Sequence, residues 1–435
     1  MNQTLTETGN EWAPVIPAHW RLSRLRREVV IAGGQVDPTS PEWRDVTLIA
    51  PNHIESGTGR VLSRETAAEQ GASSGKYRVL AGQIIYSKIR PALNKATIAT
   101  EDCLCSADMY PLTVLGRTDK RYALYQILAR PFHRFASVTS LRVKMPKINR
   151  EDLADAPWLL PPLEEQTAIA GFLNRELSGI DEMVAEQQSL VEMLRARRTA
   201  LVERAVTRGL DASSELRDGN LSWAPEVPAH WRVANVRRFA QMKTGHTPSR
   251  SKPEYWENCT IPWMTLADVW QLRPGKEMYV SETQSKISEL GLANSAAELL
   301  PAGTVMLSRT ASVGFSGITP EPMATSQDYW NWVCGPELLP EYLVWLFRAM
   351  RQEFNALMMG STHKTIYQPT AAAIRIPVPP RDEQQAIVDY IVEHTTRIDK
   401  LIEESELLVE LSLERRSALI TAAVTGQIPL KEMCK

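Results

Sequence analysis

Residues 160–166 read Leu-Pro-Pro-Leu-Glu-Glu-Gln and open a helical pattern that runs to residue 208. A similar arrangement returns at residues 378–384, Val-Pro-Pro-Arg-Asp-Glu-Gln, and again opens a long helical pattern. Proline is tolerated at a helix start, so each Pro-Pro pair ends the preceding segment and sets where the helix begins. Two long helices with the same entry predict that the fold is duplicated within this chain.

The amino-terminal part of each copy supports this duplication. Residues 12–27 and 223–238 are identical at ten of sixteen positions, and both contain Trp-Ala-Pro followed by Pro-Ala-His-Trp-Arg. Two copies of about 210–220 residues in one polypeptide predict a pseudo-twofold architecture, as in a dimer fused into one chain.

Each long helix carries an apolar stripe whose members follow steps of three and four residues, which indicates a coiled-coil seam. The seam comprises Ile180, Val184, Val191, Leu194 and Leu201 in the first helix, and Ile398, Ile402, Val409 and Leu419 in the second. Neither helix can bury its stripe alone, so we expect the two to pair in antiparallel fashion, with the two mixed domains at opposite ends. In the alternative, each helix packs on its own domain.

The predicted fold class is α+β, with two mixed α/β domains in a pseudo-twofold arrangement, joined by two long antiparallel helices that form a coiled coil. The predicted boundaries are 1–160 for the first domain, 161–208 for the first helix, 209–231 for a linker, 232–378 for the second domain, 379–426 for the second helix and 427–435 for a tail. Residues 122–134 are predicted to be a helix, and Gly426 is predicted to cap the second long helix.

Composition narrows the class of protein. No apolar run approaches the roughly 18 residues that span a bilayer, and the polar start of the chain has no secretory signal pattern. The five cysteines have no CxxC spacing, and their odd number argues against a disulfide framework. We therefore expect a cytoplasmic protein with no membrane association and no metal site.

Charge is unevenly distributed along the chain, although its net value is −2. Residues 21–160 contain 21 Lys and Arg and 14 Asp and Glu, and residues 232–378 contain 14 Lys and Arg and 12 Asp and Glu. The helical segments 161–219 and 379–435 each contain 7 Lys and Arg and 11 Asp and Glu, so they are acidic. This segregation favours two domains that face a polyanion, joined by acidic helices. Chance segregation is the alternative.

Motifs of catalysis are missing. The sequence has no Asn-Pro-Pro-Tyr/Phe or Asp-Pro-Pro-Tyr run of the kind that adenine methyltransferases use, and no HExxH. It has no GxxxxGK[ST] phosphate loop, because residues 71–77 have the wrong spacing and lack the Ser or Thr. We therefore predict a protein without catalytic residues of its own.

The order of mixed domain, Pro-Pro-x-x-Glu-Gln helix, second mixed domain and second Pro-Pro-x-x-Glu-Gln helix resembles the specificity subunit of Type I restriction-modification enzymes. The resemblance covers essentially the whole chain. Residues 245–248 (Gly-His-Thr-Pro), 261–263 (Ile-Pro-Trp), 300–305 (Leu-Pro-Ala-Gly-Thr-Val) and 360–362 (Gly-Ser-Thr) are also similar to sequences of that family.

The resemblance implies a division of labour. Each mixed domain would be a target recognition domain that reads one half of a split sequence in double-stranded DNA, and the paired helices would fix the spacing. Two modification subunits would bind S-adenosylmethionine and methylate adenine at N6, and restriction subunits would use ATP and Mg to cleave foreign DNA. This chain would hold no cofactor. The alternative is a duplicated coiled-coil scaffold that binds proteins and does not read DNA.

DNA readout needs Arg, Lys, Asn or Gln at base edges and further cations at phosphates. Two basic zones recur at corresponding positions of the two domains. The candidate DNA-binding residues are Lys88, Arg90, Lys95, Arg142, Lys144 and Lys147 in the first domain, and Lys243, His246, Arg250, Lys252, Arg309, His363 and Lys364 in the second. For each of them the alternative is a solvated surface charge.

The second domain is rich in tryptophan. We predict that these side chains belong to the core, rather than to a platform on which bases stack. They are Trp256, Trp263, Trp270, Trp330 and Trp332.

Overall fold

The computed structural model describes residues 4–140, 146–273, 275–358 and 365–433. Packing divides the chain into two compact units. The first unit comprises Met1–Ser189 with Ser405–Lys435, and the second comprises Leu190–Glu404. Each unit therefore contains one mixed domain and one half of each long helix. This division follows compactness, and the predicted domain boundaries stay a prediction.

The first unit is built from short strands and helices around two four-stranded sheets and two two-stranded sheets. Its strands are β1 (Leu5–Glu7), β2 (Val15–Pro17), β3 (Arg21–Arg24), β4 (Val29–Ile31), β5 (Gln35–Val36), β6 (Leu48–Ile49), β7 (Lys76–Val79), β8 (Ile84–Ser87), β9 (Ala96–Ile98), β10 (Cys103–Cys105), β11 (Met109–Val114) and β12 (Pro157–Leu160). The helices of its mixed domain are α1 (Leu25–Glu28), α2 (Lys120–Leu128), α3 (Arg130–Ser140) and α4 (Arg150–Ala154), and the first half of α5 (Leu163–Arg208) follows them. The two four-stranded sheets have the orders β4-β11-β8-β9 and β5-β7-β10-β6, and β6 runs parallel to β10. The two-stranded sheets pair β1 with β2 and β3 with β12.

The second unit repeats this plan. Its strands are β13 (Leu216–Asp218), β14 (Glu226–Pro228), β15 (Arg232–Asn235), β16 (Ala240–Thr244), β17 (Ile261–Met264), β18 (Ser285–Ile287), β19 (Val305–Ser308), β20 (Ser316–Ile318), β21 (Ala324–Thr325), β22 (Tyr329–Cys334) and β23 (Arg375–Val378). The helices of its mixed domain are α6 (Glu289–Ala293), α7 (Pro340–Ala349), α8 (Arg351–Leu357) and α9 (Gln368–Ala372), and the first half of α10 (Arg381–Val424) follows them. The second half of α5 belongs to this unit, and the second half of α10 to the first unit. The larger sheets have the orders β16-β22-β19-β20 and β18-β17-β21, and β17 runs parallel to β21. The two-stranded sheets pair β13 with β14 and β15 with β23.

Halves of the two long helices pair within each unit. In the first unit, Ile180 and Val184 are buried in a cluster that also contains Ile420 and Val424, while Val409 and Leu419 are partly buried against it. In the second unit, a cluster forms from Val191, Leu194, Ile398 and Ile402, with Leu201 partly buried beside it. In both units the amino-terminal half of one helix lies against the carboxyl-terminal half of the other, so the paired halves are antiparallel.

The predicted helix at residues 122–134 is wrong in its continuity, because the structure breaks it into α2 and α3. Asp119 caps the start of α2, accepting hydrogen bonds from the backbone N–H groups of Arg121 (2.8 Å) and Tyr122 (3.1 Å). Ala129 is extended, with φ −71° and ψ 154°. Pro131 explains the break, because proline has no N–H to continue a helix and is tolerated only in a first turn.

Four of the five tryptophans predicted to belong to the core are buried or partly buried, and Trp270 differs. Trp263, Trp330 and Trp332 are buried. Trp270 is 59% exposed, so its prediction as a core residue is wrong. It lies in the 3-10 segment Leu266–Leu272, where three residues make a turn. Val269 and Leu272 occupy the inner face of that segment, which turns Trp270 outward.

The segments between and after the helices carry structure of their own. Residues 209–231, predicted as a linker, contain β13 and β14, and Trp231 at their end is buried. The capping role of Gly426 is confirmed by its φ of +73°. Residues 427–435, predicted as a tail, include the short helix α11 (Leu430–Met433), whose Met433 is buried in the first unit.

Candidate nucleic-acid interface

The repeated sequence motifs meet in space within each unit. Trp20 donates its Nε1–H to Glu165 at 2.8 Å, and the His19 ring is hydrogen-bonded to the same carboxylate at 2.8 Å. In the second unit Trp231 donates to Glu383 at 3.0 Å, and His230 lies 2.9 Å from that carboxylate. The Trp and Glu that recur in sequence thus join the entrance of each mixed domain to the start of its long helix.

A buried glutamine completes this joint in each copy. The Gln384 side chain accepts a hydrogen bond from Leu339 N at 2.9 Å and donates to the carbonyls of Glu337 and Pro379 at 2.8 and 2.9 Å. Gln166 makes the equivalent three bonds, with Asp119 N, Arg117 O and Pro161 O. Both side chains are fully buried, so the strand, the turn and the helix meet at one fixed point.

In the first unit, the structure brings together three cations from two separate sequence zones. An isolated antiparallel bridge pairs Ile89 with Lys147. The Arg90 N–H donates to the Pro146 carbonyl at 2.8 Å, and the Ile148 N–H donates to the Lys88 carbonyl at 2.9 Å. Lys88, Arg90 and Lys147 therefore share the end of β8, and we call them the first basic surface.

The other predicted residues of this domain lie differently. The Lys95 Nζ donates to the Pro51 carbonyl at 2.7 Å, which ties this half-buried side chain to the protein. The Lys88 Nζ lies 5.2 Å from the centroid of the Tyr110 ring and stays partly exposed. Arg142 and Lys144 fall outside the described residues.

Arg150 was missed by the sequence reasoning. Its guanidinium donates to the carbonyls of Ile31 and Ala32 at 3.0 and 2.9 Å and lies 5.0 Å from the Tyr110 ring centroid. Arg150 thereby supports the loop after β4 and the ring beside Lys88. No sequence signal marks it, because these carbonyls lie more than a hundred residues away.

In the second unit, Arg309 occupies the matching position at the end of β19. Its N–H donates to the Asp328 carbonyl at 2.9 Å, and its own carbonyl accepts from Ile366 N at 2.9 Å. The guanidinium carbon lies 4.3 Å from the Trp330 ring centroid. Its Nε is buried without a hydrogen-bond partner among the described residues, and burial lowers the pKa of the side chain. The Trp330 ring therefore orients the Arg309 guanidinium, while its Nε–H makes no hydrogen bond to the described residues.

The loop at residues 245–252 begins against residues 325–327, which directly precede Asp328, a backbone partner of Arg309. The His246 N–H donates to the Thr325 carbonyl at 3.0 Å, and the Thr247 hydroxyl donates to Gln327 Oε1 at 2.6 Å. Asp328 directly follows Gln327, and its backbone carbonyl accepts the hydrogen bond from the Arg309 N–H. We call Arg309 and the loop 245–252 the second basic surface.

Three predicted cations of this domain belong to β16 or to the loop. Arg250 and Lys252 are exposed, with the Arg250 guanidinium 5.2 Å from the Trp256 ring centroid and the Lys252 Nζ 3.9 Å from Glu254. Lys243 is bound to Glu298 at 2.6 Å, so its charge is already compensated. His363 and Lys364 fall outside the described residues and directly precede Thr365, which bridges to Thr310.

The chemistry available at these surfaces is that of binding. Arg and Lys donors, with hydroxyl groups beside them, suit phosphate oxygens and base edges. Within the described ranges, no group of three or more His, Cys, Asp or Glu is placed to hold a metal ion. Among the same residues, no helix has an apolar stretch long enough to cross a membrane.

The fold and the duplicated surfaces agree with the comparison to known families. The family described as Type I restriction modification DNA specificity domain matches residues 47–191 and 228–411, which is more than half of the chain. The chain belongs to this family.

Individual relatives are named as specificity subunits of Type I restriction enzymes. The chain is 40% identical over 166 residues to the specificity subunit of the Escherichia coli Type I restriction enzyme EcoDI, covering 38% of this chain and 36% of that relative. It is 22% identical over 369 residues to the putative MjaX specificity subunit of Methanocaldococcus jannaschii, covering 82% of this chain and 80% of that protein. The chain thus spans about a third of the first relative's length.

A solved structure shares the fold. It comes from work on complex assembly and conformational transition of the type I R-M system, and it superposes with a TM-score of 0.72 at 16% identity. The alignment covers 95% of this chain and 99% of that chain.

Proposed function

We propose that this chain is the DNA sequence-recognition subunit of a Type I restriction-modification complex, in which each mixed domain reads one half of a bipartite target. One observation carries the proposal. In both units a basic residue directly follows the corresponding central strand, Lys88 after β8 and Arg309 after β19, on a scaffold whose internal contacts recur while the surface residues differ. A shared scaffold with different loops is what two modules that read different sequences require.

The proposal includes partners and cofactors. The chain orients two modification subunits, which bind S-adenosylmethionine and methylate adenine at N6, and it joins restriction subunits that use ATP and Mg. Its own contribution in the cytoplasm is recognition, without a catalytic residue or cofactor. Its relatives are named specificity subunits, which supports this division of labour.

The second basic surface offers two kinds of DNA contact. Arg250 and Lys252 are exposed on a loop, which suits contacts with phosphates. Arg309 is half-buried and stacked on Trp330, so its planar donors have a set direction. A guanidinium held in this way suits the paired acceptors O6 and N7 of guanine in the major groove.

The function is tested by methylation-site sequencing of DNA from cells that carry this chain with its neighbouring modification subunit. We expect N6-methyladenine in each half of one split motif. Replacing residues 21–160 with the equivalent segment of a relative is expected to change one half of the motif and leave the other intact. If a folded pair of subunits left the DNA without any motif, the protein-binding scaffold would become the better description.

The loop cations give a second prediction. Replacing Arg250 and Lys252 together by glutamine is expected to weaken binding to a duplex that carries the sequenced motif. The slope of log K against log salt concentration should flatten by about 0.9 for each phosphate that the variant no longer neutralises. The measurement is a salt series of binding isotherms on the assembled methyltransferase.

Lys243→Gln is the matched control for the loop cations. Its ammonium is already paired with Glu298, so its replacement is expected to change the slope by less than half as much as the double substitution of Arg250 and Lys252. A slope that stayed unchanged in the double variant would place the phosphate contacts on another surface.

A further inference from the structure

A buried arginine occupies the seam of the paired helices in the first unit. The side chain of Arg416, on α10, is 5% exposed. Its Nε donates to Asp181 of α5 at 2.8 Å, and its two Nη groups donate to the carbonyls of Gly57 and Thr58 at 2.9 Å each. One guanidinium thus joins both long helices to a turn of the mixed domain.

The second unit has the same junction. Arg198, on α5, donates its Nε to Asp399 of α10 at 2.8 Å and its Nη2 to the Gly275 carbonyl at 2.9 Å. Arg348, on α7, donates to the Gly275 carbonyl at 2.7 Å and to the Glu277 carbonyl at 2.6 Å. Two arginines therefore converge on one turn, which is the counterpart of the turn at Gly57.

The members of the two junctions recur at one sequence offset. Arg198 and Arg416, Asp181 and Asp399, and Gly57 and Gly275 are each separated by 218 residues. In both cases the arginine comes from the helix of the other repeat, while the aspartate comes from the helix that directly follows the mixed domain. Each domain is therefore held by both copies of the duplicated sequence.

The chemistry of the junction favours orientation over simple stabilisation. A seam position is most readily filled by an apolar side chain, and replacing a buried ion pair by packed apolar residues is often neutral or stabilising. Arginine differs because its planar fork makes several hydrogen bonds in fixed directions. Arg416 uses that fork in two directions, toward a helix carboxylate and toward turn carbonyls, so it sets an angle as well as a distance.

We propose that Arg198 and Arg416 are positioning residues, which fix the orientation of each recognition domain on its helix pair and so restrict the spacer between the two DNA half-sites. The inference rests on the proposed function. A recognition domain that rocks on its helices would accept its half-site at more than one distance from the other half.

The test is methylation-site sequencing with the full chain and its modification subunit, comparing wild type with Arg198→Ala and with Arg416→Ala. We expect both variants to keep the two half-sites and to methylate sites whose spacer is one base pair longer or shorter. The fraction of methylated sites at those spacers should rise about tenfold, which corresponds to about 1.4 kcal/mol of lost preference.

Arg197→Ala and Arg415→Ala are matched controls, because these exposed arginines directly precede Arg198 and Arg416 on the same helices. They are expected to keep the wild-type spacer. If Arg416→Ala or Arg198→Ala does not accumulate as folded protein, lysine at the same position retains the charge, loses the fork and receives the same measurement.

The outcomes separate the two proposals. A wild-type chain that yields no split motif refutes the proposed function. A split motif whose spacer stays single in the arginine variants, with methylation merely reduced, shows that the arginines act through stability alone and overturns the inference.

Discussion

Gln384→Leu is expected to lower the free energy of unfolding by about 3 kcal/mol, since it leaves three backbone groups without their hydrogen bonds and each buried unsatisfied group costs about 1–3 kcal/mol. The amide is fully buried and bonds to Leu339 N, Glu337 O and Pro379 O at 2.8–2.9 Å. Leucine fills a similar volume but offers no polar atom. Urea denaturation of the purified chain measures the change as a lower midpoint at constant slope.

The neighbouring Gln385 provides a matched control. Gln385→Leu makes the same chemical change one residue along α10, at an exposed position where the amide bonds only to Asp389, at 2.8 Å, among the described residues. A pair of this kind on a helix surface contributes about 0.2–0.5 kcal/mol. Equal losses of stability in the two variants would show that the buried joint at Gln384 has no special role.

The first unit offers an independent repeat of this experiment. Gln166 makes equivalent bonds to Asp119 N, Arg117 O and Pro161 O, at 2.8–3.1 Å. Gln166→Leu should therefore cost about as much as Gln384→Leu. A similar loss of stability in both copies would tie the repeated Glu-Gln motif to the joint between domain and helix.

Gly245→Ala is expected to destabilise the second unit by about 2–3 kcal/mol, which is typical of an overpacked site. A Cβ built at this position lies 2.2 Å from the carbonyl oxygens of both Thr325 and Ser326, so the backbone must move apart. The loop 245–252 starts here, and its displacement is expected to weaken DNA binding as well. Urea denaturation and binding to the sequenced motif measure the two effects.

Gly33 supplies the control for that substitution, because it follows β4 as Gly245 follows β16. Apart from its chain neighbours, no atom of the described residues lies within 4 Å of a Cβ built at Gly33, and its φ is not in the left-handed region. Gly33→Ala is expected to be neutral, or to stabilise by reducing the freedom of the unfolded chain. If both alanine variants behaved alike, the close packing of Gly245 would not constrain the loop.

Much of the architecture could be predicted because each motif occurs twice in the chain, so the two copies support the same assignment. The helix entries at Pro161 and Pro379 and the apolar seam are local patterns, and they led to two long helices of nearly the predicted extent. The family assignment followed from the order of these motifs along the chain.

The candidate site was only partly predictable. The sequence picked out Lys88, Arg90 and Lys147 as members of two separate zones, and the bridge between Ile89 and Lys147 makes them neighbours. The same prediction included Lys95 and Lys243. The Lys95 ammonium donates a hydrogen bond to the Pro51 carbonyl, and the Lys243 ammonium forms an ion pair with Glu298. Composition shows that a side chain is basic, whereas its partners depend on residues distant in the chain.

The sequence by itself determined the duplicated α+β plan, the paired helices and the family, because periodicity and repeated motifs depend on residues close together in the chain or repeated within it. Only the tertiary structure decided which cations remain available, why Trp270 faces outward, and how Arg198 and Arg416 reach a domain turn. Those features depend on contacts between residues far apart in sequence, such as Arg416 with Gly57. Hydrogen bonds and burial act through space, so a linear pattern does not specify them.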